Sequence, residues 1–150
     1  MRARTLGLFL LGISGCIGSG RTDDTAITDD SNASVEPLPA CHAADGRPLA
    51  DIGVPSISGD VLTVDVTYGG GCEVHTYTLC WPDQAFMESE PVQVHLEILH
   101  ESPEDACDAI ITETPSFDLT PLKESWQAGY QQASGTIVIH LDGESVDYVF

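Results

Sequence analysis

The sequence predicts a small, mainly β protein: an immunoglobulin-like β-sandwich stapled by disulfides, with one short helix between its fourth strand and a C-terminal hairpin. Three observations carry this expectation. From Cys41 onward, apolar residues recur with period two in one segment after another. Clusters of Gly, Pro, Asp and Ser separate those segments, and no internal repeat links them. An even number of cysteines, Cys41, Cys72, Cys80 and Cys107, falls in the same stretch.

In Val61 to Tyr68, the residues Leu62, Val64, Val66 and Tyr68 share one face and Thr63, Asp65 and Thr67 the other, as in a half-buried strand. His75 to Trp81 repeats the pattern, with His75, Tyr77, Leu79 and Trp81 on one side and Thr76, Thr78 and Cys80 opposite. Val92 to His100 turns Val92, Val94, Leu96 and Ile98 inward and Gln93, His95 and Glu97 outward. Ala109 to Leu119 is a fourth strand, bent or edge-exposed at Pro115, which has no N–H to give a ladder. Thr120 to Tyr130 changes period. Thr120 stands as N-cap, Pro121 in the first turn, and Leu122, Trp126 and Tyr130 recur every four residues, so a short helix packs on the sheet. Thr136 to Leu141 and Ser145 to Phe150 flank Asp142-Gly143, the pair a type I′ turn favours; that register sets Ile139 against Val146, Ile137 against Tyr148 and His140 against Ser145.

Charge excludes whole classes of partner. The 150 residues hold 5 Lys and Arg against 24 Asp and Glu, a net charge of -19, which repels a phosphate backbone and anionic lipid alike. Nucleic acid is therefore not an expected partner. No run of about 18 apolar residues is present to span a bilayer.

The first residues read as an export address. Arg2 and Arg4 precede the short apolar stretch Leu6 to Ile13, the charged and hydrophobic regions of a signal peptide covering residues 1–15. The stretch ends in Ile13-Ser14-Gly15-Cys16, which resembles the lipobox of bacterial lipoproteins. The resemblance implies cleavage before Cys16 and acylation of its thiol. One acyl chain anchors only marginally, at about 0.8 kcal/mol per buried methylene, and lipoproteins of this kind carry two or three. Cleavage would leave Arg21, Arg47 and Lys123 against the 24 acidic residues, a net -21. Ile17 stands where inner-membrane retention in enteric bacteria would need Asp, so the implied location is extracytoplasmic, on the outer membrane. Residues 16–40 then form a Gly-, Ser-, Thr- and Asp-rich linker, whose Asp pairs lack the ligand spacing of a calcium loop, and residues 41–150 a single domain.

In an exported domain the four remaining cysteines read as two disulfides, in one of three connectivities. Cys72 with Cys107 and Cys41 with Cys80 is preferred: the first two lie in polar sequence at strand ends, while Cys80, in mid-strand, can receive the loose segment around Cys41. The alternative is zinc or copper bound by Cys72, His75, His100 and Cys107, since Cys72 and His75 are spaced to reach one ion. On the preferred reading there is no metal and no cofactor.

The stretch Gly69-Gly70-Gly71-Cys72-Glu73-Val74-His75-Thr76-Tyr77, with the later His100 and Cys107, is similar to a pattern in extracytoplasmic bacterial lipoproteins, including NigD-like ones, with Tyr77 in place of the usual Phe. That resemblance implies location and fold and no reaction. The glycines themselves permit positive φ and a tight turn or bulge, or a loop presenting backbone N–H groups to a ligand.

Enzyme signatures are missing: the sequence contains no GxSxG, HExxH, P-loop or GxGxxG. Lys123 reads as a solvated helix cation, His42, His95 and His140 have no neighbouring nucleophile, and pairs such as Asp105 and Asp108 are uninformative among so many acids. The resulting expectation is a non-catalytic, lipid-anchored envelope module that binds an envelope protein or glycan.

Overall fold

A computed structural model describes residues 35–150. The signal peptide, Cys16 and most of the linker lie outside the described residues. The elements are a 3-10 turn at Ala43–Asp45, β1 (Asp51–Ile52), β2 (Ser56–Ser58), β3 (Val61–Thr63), β4 (Val66–Gly70), β5 (Thr76–Cys80), β6 (Val92–Glu101), β7 (Ala109–Glu113), β8 (Ser116–Asp118), α1 (Thr120–Tyr130), β9 (Thr136–Leu141) and β10 (Glu144–Val149).

Three hydrogen-bonded sheets result, ordered β1-β4-β7, β2-β3-β8 and β10-β9-β6-β5. The first two are halves of one interrupted layer. Leu62 faces Phe117 in the β3–β8 ladder and Val66 faces Glu113 in the β4–β7 ladder, so the register runs through both without a slip. The break falls where Val64 meets Pro115. The Val64 N–H reaches the Pro115 carbonyl at 3.3 Å, but proline returns no N–H and the ladder lapses for one step. The single strand expected over Val61 to Tyr68 is therefore two short ones, and the expected bend at Pro115 separates β7 from β8.

The four-stranded layer is mixed. β5–β6 and β9–β10 are antiparallel, whereas β6 and β9 run parallel, reached by the crossover through β7, β8 and α1. The Asp142-Gly143 turn has φ of 48° and 89°, the positive pair a type I′ turn requires, and it sets Val146 against Ile139 and Tyr148 against Ile137 as expected.

Between the layers lies one core. Leu62, Val64 and Val66 from the broken layer meet Val94, Leu96, Ile98, Ile137 and Ile139 from the other, and Leu122 and Trp126 of α1 close one end. Each such side chain contributes about 1.5–3 kcal/mol on burial. The helix begins one residue off expectation in its capping: Leu119 is the N-cap, and the Asp118 carboxylate accepts the Thr120 N–H at 2.8 Å.

Two disulfides join Cys41 to Cys80 and Cys72 to Cys107, with Cα separations of 5.1 and 5.8 Å. The first draws the entering chain over the outer face of β5. There the Trp81 N–H bonds to the Pro39 carbonyl at 2.8 Å and Leu38 packs on the core, so the folded unit begins a few residues before Cys41. Lys123 is not a free cation. It pairs with Asp60, whose other oxygen accepts the Tyr148 hydroxyl at 2.7 Å.

Candidate functional site

Beneath the Cys72–Cys107 disulfide, at one end of the sandwich, sits the densest cluster of titratable groups. β4 delivers Tyr68, β5 delivers Tyr77, and β6 delivers His100, the direct cross-strand partner of Tyr77. The glycine loop after β4 delivers His75, and the segment after β6 delivers Asp105.

Asp105 is the hub. Its Oδ2 accepts backbone N–H groups from Gly71, Cys72 and Glu73 at 2.7, 3.0 and 3.1 Å, and faces His75 Nε2 at 3.2 Å. Its Oδ1 accepts the Cys107 N–H at 2.9 Å. The Cys107 N–H, then His75 and the Cys72 and Glu73 N–H groups, hold this carboxyl far below the usual carboxylate range against the opposing effect of burial. The glycine loop does present its N–H groups as a nest for an anion, and the anion is this chain's own side chain. Positive φ at Gly70 and Gly71, 146° and 108°, makes that geometry reachable.

The bond order continues inward. An ionised Asp105 makes His75 Nε2 the donor; in the neutral ring Nδ1 then accepts, and His100 Nε2 carries the hydrogen across the 2.7 Å between them. His100 Nδ1 is then a bare lone pair in the interior, and it has no hydrogen-bond partner. Burial first, and the neighbouring His75 second, push the His100 pKa down, consistent with a neutral ring. Tyr68 stacks on His75 at 4.0 Å and Tyr77 on His100 at 5.3 Å. Their hydroxyls donate to the two oxygens of Glu113 at 3.0 and 2.8 Å, and burial followed by that carboxylate raises both phenol pKa values.

An aspartate–histidine–histidine relay has the parts of a proton-transfer chain, yet it lacks an outlet. The His75 and Asp105 side chains are both 0% exposed, and the sulfurs above them are bonded to each other. The metal alternative is corrected by the same facts. Cys72 and Cys107 spend their thiolates on the disulfide, and His75 and His100 spend facing nitrogens on one another, so the four do not converge on an ion. Cys72, Cys107 and Asp105 do lie within one ligand sphere, but a disulfide sulfur is not a thiolate donor. In the sequence Glu113 carries no signal, Tyr68 stands only on an inward strand face, and Asp105 reads with Asp108 as an uninformative acidic pair; the spacing of Asp105 two residues before Cys107 is the one local hint.

A second, open feature lies at the other edge of β6. β9 ends at Leu141, opposite Leu96, while β6 continues to Glu101. The notch left beside β6 is a cavity of about 560 Å3, walled by Leu96, Ile98 and Ile52 and rimmed by Asp83, His95, Glu97 and His140 with the 142–143 turn. Its volume falls in the range of small-ligand sites. Ala43 forms part of the wall, and its N–H bonds to Glu97 Oε2 at 2.7 Å.

No protein-family model matches the chain, and no curated protein matches it either. Among solved structures, it is similar to a protein of unknown function (DUF1344) from Bacteroides vulgatus, at 16% identity and a TM-score of 0.40, covering 70% of this chain and 48% of that one. A "Putative TOXIN related protein" from Parabacteroides distasonis gives 16% and 0.39, with 81% and 54% covered. A "Putative lipoprotein" from Bacteroides fragilis gives 12% and 0.43, with 78% and 64% covered. The chain thus spans between about half and two-thirds of the length of these neighbours. Likeness at this level leaves fold and function to be argued from the chain's own residues.

Proposed function

We propose that the chain is a non-catalytic module of the bacterial cell envelope, lipid-anchored through Cys16, whose sandwich binds another envelope component through the notch beside β6. The observation that carries the reading is the closure of the relay. Among the described residues, the cluster with catalytic ingredients has no solvent-exposed side chain at His75 or Asp105 and no free thiol at Cys72 or Cys107. It serves as an internal strut that pins the Cys72 loop to the sheet. The notch, about 560 Å3, open and with a largely apolar wall under a polar rim, is large enough to hold a ligand. Both disulfides suit an oxidising compartment, and among the described residues no helix is long and apolar enough to cross a membrane.

The test has two parts. Cell fractionation should place the wild-type chain with membranes and the Cys16→Ser variant in the soluble extracytoplasmic fraction; identical partition of the two would remove the anchor. A photo-crosslinking residue at Asp83, on the notch, should give an adduct in cells that the same residue at exposed Glu124, on α1, does not. Equal labelling at both positions, or none at Asp83, would remove the notch as the binding face.

A further inference from the structure

Within the notch, the parallel register of β6 and β9 places His95 directly against His140, with ring centroids 5.0 Å apart. The surrounding hydrogen bonds fix which nitrogen of His140 is free. Ser89 donates its hydroxyl to the Pro91 carbonyl and so accepts from Gln93 Nε2 at 3.0 Å. That orients the Gln93 amide with Oε1 toward His140, 2.7 Å from Nε2. A carbonyl oxygen only accepts, so the neutral His140 ring carries its hydrogen on Nε2 and has its lone pair on Nδ1. Proteins commonly hold a metal-ligating imidazole in this way, with one ring nitrogen donating to a carbonyl and the other free to ligate. Asp83, Glu97 and Asp142 line the same notch. Glu97 Oε2 accepts the Ala43 N–H at 2.7 Å, and Oε1 lies 3.7 Å from His42 Nδ1.

The geometry points to a divalent transition-metal site in which His95 and His140 supply the nitrogens, Glu97 a carboxylate oxygen, and Gln93 positions His140. Two imidazoles and a carboxylate suit zinc or copper(II) better than calcium or magnesium, which prefer all-oxygen shells. His95 and His140 sit opposite each other on paired strands; as they stand, their nitrogens and the Glu97 carboxylate do not lie within one ligand sphere, so chelation needs side-chain rotation. The acidic chain adds a field that draws cations toward the rim. The site is separate from the Cys72–Cys107 end and uses none of its residues. The inference rests on the notch being a binding surface and names what that surface takes.

The test is isothermal titration of the full chain carrying Cys16→Ser, so that a free thiol does not compete, with zinc chloride, and electron paramagnetic resonance with copper(II) sulfate. One ion per chain and nitrogen hyperfine structure are expected. His140→Ala and His95→Ala should each weaken binding at least tenfold, and Gln93→Leu should weaken it by about 10–100-fold through loss of the carbonyl partner. Melting curves in chelator that match the parent show that the variants fold; His140→Gln replaces His140→Ala should the latter not. Unchanged affinity in both histidine variants, or no binding up to millimolar metal, overturns the site. Crosslinking at Asp83 reads macromolecular contact and the titration reads ion binding, so a chain that crosslinks and takes no metal loses this site and keeps the notch.

Discussion

His100 Nε2 and His75 Nδ1 share a hydrogen bond of 2.7 Å, and that bond, with Asp105 on the far side of His75, sets the tautomers of the two neutral rings. A proton added to His100 has to sit on the buried Nδ1; the Arg47 backbone favours that charged form, but burial and His75 outweigh it and the pKa is lowered. The strut beneath the Cys72–Cys107 disulfide is therefore built for neutral pH and weakened by acid.

The first prediction concerns the onset of that weakening. The folded-state pKa of His100 is lowered, so below the ordinary histidine value of about 6.5 the unfolded chain binds the proton more readily than the folded one. Stability should rise with pH up to about 6.5 and fall on acidification from there. His100→Phe keeps a ring against Tyr77 and removes the titration. Its melting temperature will be lower at pH 7.5, and the decline between pH 6.5 and 5 will be shallower than in the parent. Calorimetry across that range decides it; parallel declines would show that His100 does not titrate on unfolding.

A second arm of acid sensitivity belongs to Asp105. Its carboxyl is depressed, so its stabilising effect is fully present above the unfolded value of about 3.9 and fades as pH falls toward the folded value. Asp105→Asn removes this arm. The variant should melt earlier at neutral pH and lose less on going from pH 5 to pH 2.5, and its amides at Gly71, Cys72 and Glu73 should exchange faster with deuterium. Unaltered exchange there would show that the nest does not depend on the carboxylate.

The fold was legible where its cause is local and hidden where it is not. Asp142-Gly143 is a two-residue device whose φ values follow from its side chains, so the C-terminal hairpin and its cross-strand pairs could be read directly. Pro115 announced a bend, but the matching lapse at Val64 depends on which residue proline faces, and that is a tertiary fact. The parallel pairing of Val92–Leu96 with Ile137–Leu141 has no local signature, because two strands and a helix intervene. The His95–His140 contact was hidden with it. Asp105 was one acid among 24 in the sequence; what distinguishes it is three N–H groups from a loop more than thirty residues away.

Gly70 should tolerate no side chain. Its φ is 146°, and a Cβ there would stand 2.7 Å from Asp105 Oδ2 and 3.3 Å from His75 Nε2. Gly70→Ala combines backbone strain with displacement of the hub, a loss of about 1–3 kcal/mol. At about 4 °C per kcal/mol for a domain of this size, the shift in melting temperature is easily measured. Gly129, with open space at its Cβ position and no positive φ, is the control, and Gly129→Ala should leave the melting temperature unchanged or higher.

The two disulfides should contribute comparably. They close similar loops, with separations of 39 and 35 residues, and the chain-entropy account gives about 2–5 kcal/mol for removing either. Their local consequences differ. Cys72→Ser with Cys107→Ser leaves the Asp105 bonds to hold the glycine loop, so the loss should stay within that range. Cys41→Ser with Cys80→Ser puts two hydroxyls in place of the sulfurs, one of them at the fully buried Cys80 position, and frees the Leu38–Pro39 segment from β5. Denaturant titration should rank the second pair as the more damaging, with limited proteolysis cutting near residue 40; equal losses and an uncut N-terminal segment would show that Pro39 and Leu38 hold their places without the covalent tie.

Asp60 ties three elements together. Its carboxylate takes Lys123 of α1 and the Tyr148 hydroxyl of β10, and its backbone carbonyl accepts the Leu119 N–H at 2.8 Å. The Lys123 bond first, and the Tyr148 bond second, lower the Asp60 pKa. The contribution is accordingly present above about pH 3.9 and lost as pH falls through the folded value. Tyr148→Phe keeps the buried ring and removes one donor. At pH 7 it should melt below the parent, and the gap should close as pH falls below about 4, where Asp60 takes up its proton in both chains. Lys123→Met should behave likewise, and the double variant should cost less than the two single losses added, because both act on one carboxylate. Strict additivity of the two would mean that Tyr148 and Lys123 stabilise the end of the sandwich independently, and that Asp60 is not the joint between them.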